Sequence, residues 1–122
     1  MMFTMKTAIE AIVDAFPDVP ILPVIGNNDV AYHDQAPTAD MEESYYGDLW
    51  KIFFEDVPAN AEIVKNETIK ETWMTGGWYA YEITPEIMIM NLNGMYPFYE
   101  NWTQRQRAGE MLDWVEKTLN DN

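Results

Sequence analysis

The run Ile21–Ile25 is short, apolar at nearly every position and followed by Gly26, and it restricts the fold of this chain more than any other feature. Pro17 and Pro20 precede it and end the helical pattern before it, because a proline cannot donate a backbone hydrogen bond. A strand that is apolar on both of its alternating faces is typical of a sheet that helices cover on both sides. The run therefore predicts a buried strand, parallel to its neighbours, in an α/β fold.

Two segments with helical periodicity lie near the ends of the chain. Thr7 and Glu10 have the spacing of a capping box and predict a first helix that ends at Phe16. Thr103 and Gln106 have the same spacing and predict the start of a last helix. Its apolar face consists of Ala108, Met111, Leu112, Val115 and Leu119. We therefore expect one helix before the strand and another at the end of the chain.

A second helix is predicted between Asp40, which can cap it, and Val57-Pro58, where it ends. Its broad apolar face consists of Tyr45, Tyr46, Leu49, Trp50, Phe53 and Phe54. Aromatic residues at this spacing are typical of a core, and a platform on which a ligand stacks is the alternative.

Two further apolar segments, Trp78–Ile83 and Ile87–Leu92, predict adjacent strands. A turn sequence at residues 84–86 joins them. The second strand is more uniformly apolar, so we expect it to be central and buried. Ala59–Lys70 has weak periodicity and gives no prediction.

The chain has the length of one domain, with 122 residues, of which 48% are hydrophobic. The predicted elements are about three strands flanked by helices, fewer strands than an independent sheet of this class usually has. We therefore expect residues 1–122 to form a single partial domain of a larger layered α/β fold. Open sheet edges can pair with another chain, so self-association is a further expectation.

The charge of the chain limits its partners. It has 21 acidic and 7 basic residues, a formal net charge of −14, which disfavours binding to nucleic acid. The same charge repels phosphate esters, so phosphate chemistry here would need divalent metals as the source of positive charge. No apolar run is long enough to span a bilayer. The chain has no cysteine and hence neither a disulfide nor a thiolate metal site.

The candidate functional residues follow the first predicted strand in the sequence Gly26-Asn27-Asn28-Asp29. Residues 29–40 predict a loop at the carboxyl end of that strand, where open α/β sheets carry their sites. An asparagine there can offer its amide oxygen to a metal, and an aspartate can orient a neighbouring side chain. The same four residues also form an ordinary turn. The residue types by themselves leave both interpretations open.

The stretch Phe16–Asp29 closely resembles the third motif of calcineurin-like metallophosphoesterases, above all their acid-sphingomyelinase-like branch. That motif usually reads Gly-Asn-His followed by Asp or Glu. Asn28 in place of the histidine, together with His33 further along, is similar to the endopolyphosphatases of this branch. Further similar segments are Gly76–Tyr79, Ile87–Asn93 and Trp102–Leu119. The resemblance covers nearly the whole chain and implies a metallophosphoesterase-type fold.

The resemblance implies that Asn27 is a ligand in a two-metal site that holds zinc, manganese, iron or magnesium. In the family, the histidine after this asparagine contacts the phosphate and helps to protonate the leaving group. Asn28 can donate a hydrogen bond to a phosphate oxygen but has no proton to give. His33 is the nearest candidate acid, and an ordinary surface histidine is the alternative. Asp29 would orient a neighbour by accepting a hydrogen bond.

The family takes its other metal ligands from motifs that this sequence does not contain, including several histidines. His33 is the only histidine here, so we expect that the chain by itself cannot hold two metals and is catalytically silent. The sequence is thus expected to be an internal fragment of a hydrolase that cleaves phosphodiester or phosphoanhydride bonds. Its substrate would be a phosphate ester or polyphosphate. A non-catalytic α/β interaction or structural module derived from that fold is the alternative.

Two N-glycosylation sequons are present, Asn66-Glu67-Thr68 and Asn101-Trp102-Thr103. The related enzymes are secreted or lie in a lysosome-like or vacuole-like lumen, and the resemblance implies the same location and a glycoprotein. Residues 1–6 run into an amphipathic pattern with acidic residues, which is not typical of a secretory signal. We therefore expect either a cytosolic protein or a true beginning that this sequence does not include.

Overall fold

The structure is a computed structural model that describes residues 1–98 and 102–122. Its main elements are α1 (Met2–Ala15), α2 (Glu42–Trp50), α3 (Ala61–Val64), α4 (Glu67–Gly76), β1 (Tyr79–Thr84), β2 (Ile87–Asn91) and α5 (Trp102–Asp121). A π-helical turn, Lys51–Glu55, continues α2, and 3₁₀ turns lie at Pro58–Asn60 and Tyr96–Phe98. The predicted α/β class is confirmed. None of the helices in this described part is long and apolar enough to cross a membrane.

The two strands form an antiparallel hairpin in which Tyr79 pairs with Asn91 and Tyr81 pairs with Ile89. The prediction of two adjacent strands joined by a short turn is confirmed. The prediction of about three strands is wrong, because the described residues form one two-stranded sheet. The prediction that the second strand is central and buried is also wrong. With only one partner strand, β2 lies at an edge, and its first residue, Ile87, is 54% exposed.

Ile21–Ile25 is not a strand, which corrects the first expectation from the sequence. It pairs with no strand among residues 1–98 and 102–122, and other groups bond its backbone instead. The buried Asn60 side chain donates to the Ile21 carbonyl at 2.8 Å and accepts from the Ile21 N–H at 2.9 Å. The Tyr79 hydroxyl donates to the Pro23 carbonyl at 2.9 Å. These bonds hold the segment against the core without a sheet.

The predicted starts of the first and second helices are wrong for a common reason. The side chain that was expected to cap the helix makes a hydrogen bond to a different group. Helix α1 begins at Met2, and Thr7 lies inside it, where its hydroxyl donates to the Phe3 carbonyl at 2.9 Å. Asp40 does not cap α2, because its carboxylate accepts from the Thr38 hydroxyl at 2.6 Å.

The last helix also begins earlier than its capping-box spacing predicts. Helix α5 starts at Trp102, so Thr103 and Gln106 are both helical, and the Gln106 amide donates to Glu110 at 3.1 Å. Ala108 and Met111 of the predicted apolar face are buried. Leu112 and Leu119 are exposed, because no element of the described chain covers that side of the helix.

The segment without a sequence prediction contains α3 and the first four residues of α4. Asn66 caps α4, since its side-chain oxygen accepts the Ile69 N–H at 3.1 Å. The helix ends at Gly76, and Gly77 caps it with a φ of 75°, which lies in the left-handed region. A Cβ on Gly77 would lie 2.6 Å from the Ile25 side chain, so the close approach of these two segments requires glycine.

The core is aromatic and joins α2, α4 and β1. Trp73 is fully buried, stacks edge-on against Phe54 with ring centroids 5.0 Å apart, and donates its indole N–H to the Tyr46 carbonyl at 2.9 Å. Trp50 stacks on Phe54 at 4.4 Å. The prediction that the aromatic face of the second helix is core is confirmed, and the alternative of a ligand platform is excluded for these buried rings.

An ion pair joins α5 to α2. The Arg107 guanidinium donates to both carboxylate oxygens of Glu42, each at 2.9 Å, and Glu42 is 8% exposed. Arg107 also pairs with Glu110 on its own helix. These hydrogen bonds from Arg107 raise its pKa, so the guanidinium stays charged throughout the accessible pH range.

We expect Arg107→Ala to lower the free energy of unfolding by about 2–4 kcal/mol, because it leaves the Glu42 carboxylate buried without its partner. Urea denaturation followed by tryptophan fluorescence measures the change. Lys117→Ala is the matched control, since it removes an exposed pair with Asp121 and should cost less than about 0.5 kcal/mol. Equal losses in the two variants would contradict the buried role of Arg107.

The buried tyrosines predict a loss of stability in alkali. Burial raises the pKa of Tyr45, Tyr46, Tyr79 and Tyr96 above the ordinary value of 10.0. Their contribution is fully present below pH 10.0 and is lost at higher pH, because the unfolded chain then releases protons that the folded chain keeps. We expect the free energy of unfolding to fall above that pH by about 1.4 kcal/mol per pH unit for each such tyrosine. Urea titrations across this range, with tyrosinate absorbance as the second probe, measure it; an unchanged free energy would refute the prediction.

Candidate functional site

The candidate loop begins with a closed turn at residues 26–29. The Asp29 N–H donates to the Gly26 carbonyl at 3.1 Å, and the Asp29 carboxylate accepts the Gly26 N–H at 2.8 Å. The Gly94 N–H donates to the Ile25 carbonyl at 3.0 Å, which fixes the start of the turn against the segment after β2. Hydrogen bonds inside the turn and one from Gly94 therefore hold it in place, although Ile25 before it is not in a strand.

Asn27 is brought together with His33 and Asp34, the tip of the following loop. The Asn27 amide nitrogen donates to Asp34 Oδ1 at 2.8 Å and lies 3.1 Å from His33 Nε2. His33 Nδ1 lies 2.9 Å from Asp34 Oδ2. Two residues selected from the sequence, Asn27 and His33, thus meet in space, and Asp34 contacts both. We refer to Asn27, His33 and Asp34 as the loop triad.

The other two predicted residues lie outside this triad. Asn28 is exposed. Asp29 bonds its own turn through its carboxylate, and its carbonyl accepts a hydrogen bond from the Tyr45 hydroxyl of α2. Burial, with the charge of Asp29 as a smaller cause, raises the pKa of Tyr45, so the hydroxyl remains a donor. Asp29 thus supports the shape of the loop.

The residues present fit one ligand of a metal site and no more. The Asn27 amide nitrogen donates to Asp34, which leaves the amide oxygen as the atom of this side chain that can bind a metal. Within residues 1–98 and 102–122, no group of three or more histidine, aspartate or glutamate side chains is placed to hold an ion. A single neutral oxygen cannot bind two divalent ions without charged ligands.

An apolar groove of about 330 Å³ lies on the same loop. Its lining includes Val30, Tyr32, Pro37, Met41 and Tyr45. Tyr32 is 73% exposed and directly precedes His33 in the chain. None of the described residues that line the groove is a lysine or arginine, so the groove suits an uncharged group better than a phosphate chain.

Comparison with known proteins identifies relatives of this chain. Over 108 residues the chain is 32% identical to sphingomyelinase phosphodiesterase C of Dictyostelium discoideum, which covers 85% of this chain and 22% of that protein. It is 28% identical to the cyclic GMP-AMP phosphodiesterase SMPDL3A of Rattus norvegicus, over 88% of this chain and 23% of the relative. It is 30% identical to an endopolyphosphatase of Neurospora crassa, over 69% of this chain and 10% of the relative.

The chain is related to the sphingomyelinase-like and endopolyphosphatase proteins of the metallophosphoesterase family. The resemblance found in the sequence is thus confirmed at low identity. The chain spans less than a quarter of the length of each of these three relatives. No family model matches it. No solved structure matches it either.

Sequence reasoning missed Asp34 and Gln104. Asp34 directly follows the only histidine, and an acidic residue beside a candidate imidazole was an available signal. Gln104 carried no such signal, because it lies 70 residues away from Asp34 in the chain and reaches the loop only through the packing of α5.

Proposed function

We propose that this chain is part of a metal-dependent phosphoesterase that hydrolyses phosphodiester or phosphoanhydride bonds. The observation that carries the proposal is the position of Asn27. It lies on a closed turn with its amide nitrogen bonded to Asp34, within a chain related to phosphodiesterases and endopolyphosphatases. The remaining ligands would come from parts of the whole protein outside residues 1–122.

Asn27 would bind one metal of a two-metal site through its amide oxygen. Both ions would be divalent, and zinc, manganese, iron and magnesium are the candidates. When bound, such ions supply positive charge at the phosphoryl group and lower the pKa of a water. This charge would offset the net charge of −14 that otherwise repels the substrate. The hydrogen bond from Asn27 to Asp34 would keep the amide in the orientation that binding needs.

Asn28 and His33 would act on the substrate. Asn28 is exposed, so its amide can donate to a phosphate oxygen. In its neutral form His33 would hold its proton on Nδ1, next to Asp34, with Nε2 accepting from Asn27. Nε2 must therefore gain a proton and release Asn27 before His33 can protonate a leaving group.

The apolar groove favours a phosphodiester with an apolar substituent over a polyphosphate. A polyphosphate needs cationic side chains along its length, and the described lining of the groove provides none. An apolar group can be buried there close to the loop triad, because Tyr32 of the groove precedes His33.

The test of the function is hydrolysis by the complete polypeptide that the native transcript encodes, with Zn²⁺ or Mn²⁺ added. Bis(p-nitrophenyl) phosphate and a polyphosphate serve as substrates. We expect Asn27→Ala to lower kcat/KM by at least about 100-fold, because it removes a ligand of the metal site. Asn120→Ala, an exposed asparagine on α5, is the matched control and should leave kcat/KM unchanged.

Full activity in Asn27→Ala would contradict the proposed ligand. If the transcript encodes only these 122 residues, and calorimetry detects no binding of Zn²⁺ or Mn²⁺, the enzymatic proposal fails. The second candidate, a non-catalytic α/β interaction or structural module, then takes its place. Two observations support that candidate: the described residues lack a group of charged metal ligands, and the hairpin has open edges that could pair with a second copy.

We also propose that the protein enters a secretory, lysosome-like or vacuole-like lumen and is a glycoprotein. Of its two sequons, Asn101 lies outside the described residues, whereas Asn66 is exposed. Asn66 caps α4 through its side-chain oxygen, and a glycan attaches through the side-chain nitrogen. Glycosylation at Asn66 and the helix cap are therefore chemically compatible.

Expression behind a signal peptide in eukaryotic cells tests Asn66. In an Asn101→Gln background, glycosidase digestion should shift the chain in a gel because Asn66 carries the remaining glycan. Thr68→Ala should abolish the shift because it removes the sequon, and Asn66→Asp should abolish it while it keeps a capping oxygen. No shift in the Asn101→Gln background would refute use of the site.

A further inference from the structure

Asp34 has an unusual backbone conformation. Its φ is 64°, and it is the single non-glycine residue with a positive φ among residues 1–98 and 102–122. The left-handed region is unfavourable for an L-residue, although aspartate tolerates it better than most residues do. Such a conformation persists only where the surrounding contacts determine it.

The contacts of Asp34 with Asn27 involve both backbone and side chain. The Asp34 N–H donates to the Asn27 carbonyl at 3.1 Å, and Asp34 Oδ1 accepts from the Asn27 amide nitrogen at 2.8 Å. The second carboxylate oxygen lies 2.9 Å from His33 Nδ1. The side chain of Asp34 is 23% exposed, so these bonds are partly shielded from water. One residue thus determines the positions of both others in the loop triad.

Gln104 holds the backbone of Asp34 from the opposite side. It is fully buried on α5, and its amide nitrogen donates to the Asp34 carbonyl at 3.0 Å and to the Met95 carbonyl at 2.7 Å. Its amide oxygen accepts the Ala36 N–H at 3.4 Å. These bonds explain why the left-handed conformation persists, because they fix the chain on both sides of the Asp34 peptide.

We propose that Asp34 is a positioning residue that orients the Asn27 amide. A carboxylate only accepts hydrogen bonds, so it must face the nitrogen of that amide, and the oxygen then points the opposite way. Without Asp34 the amide could turn over and present its nitrogen, which cannot bind a metal. The consequence for metal binding rests on the proposed function, whereas the orientation of Asn27 does not.

The variant Asp34→Gly distinguishes a role of Asp34 in orienting the Asn27 amide from a role in the stability of the fold. Glycine adopts a positive φ without strain, so the substitution relieves the backbone while it removes the carboxylate. We expect thermal unfolding to occur at the same or a higher temperature. The side-chain NH₂ of Asn27, observed by NMR and assigned by its absence in Asn27→Asp, should exchange with solvent about tenfold faster, because it loses a charge-assisted hydrogen bond.

Two further variants of the 122-residue chain complete the test. Asp34→Asn keeps the size of the side chain and an accepting oxygen, and asparagine tolerates the left-handed region, so it should restore most of the protection. Asp18→Gly changes an exposed aspartate in a different turn and should leave the Asn27 signal unchanged.

Unchanged exchange of the Asn27 amide in Asp34→Gly would overturn the inference, because the carboxylate would then not hold the amide. Equal loss in Asp34→Gly and Asp34→Asn would also overturn it, since a general disturbance of the loop would explain both. These measurements need neither metal nor substrate. The exchange measurements can therefore support the role of Asp34 even if the hydrolysis assay contradicts the proposed function. Failure of the inference is thus distinguishable from failure of the proposed function.

Discussion

The Trp73 side chain lies where α2, α4 and β1 meet, and its burial is the constraint on which the rest of the molecule depends. Its ring contacts those of Phe54 and Tyr79, and its N–H bonds the Tyr46 carbonyl. A buried tryptophan of this kind removes a large apolar area from water while its polar group stays satisfied. A two-stranded hairpin is only marginally stable by itself. Packing against this aromatic cluster supplies the stability that a larger sheet would gain from further strands.

The loop triad takes its position from that core through a few polar contacts. Gly77, at the end of α4, allows Ile25 to approach closely, and Ile25 leads directly into the turn. Tyr45 reaches the turn from α2, and Gln104 reaches the next part of the loop from α5. Within the described part of the chain no strand pairs with this loop, and side chains from α2 and α5 bond its backbone instead.

The comparisons with known proteins support the proposed class of reaction, whereas the geometry of the loop supports the role of a particular residue, Asn27. The comparisons establish a relationship to phosphodiesterases and endopolyphosphatases, over less than a quarter of the three relatives described. The geometry adds that Asn27 is oriented by an acceptor-only partner, an arrangement often found behind metal ligands.

The sequence by itself determined the α/β class, the aromatic core face of α2, the β1–β2 hairpin and the position of the candidate turn. These features depend on local periodicity and on residue types, and both can be read from the amino-acid sequence alone. Tertiary structure decided that Ile21–Ile25 is not a strand, because a strand needs a partner and this segment bonds the Asn60 and Tyr79 side chains instead. It also decided that Gln104 holds the loop, since its bond to Asp34 joins residues that lie 70 positions apart in sequence and are close only after α5 packs.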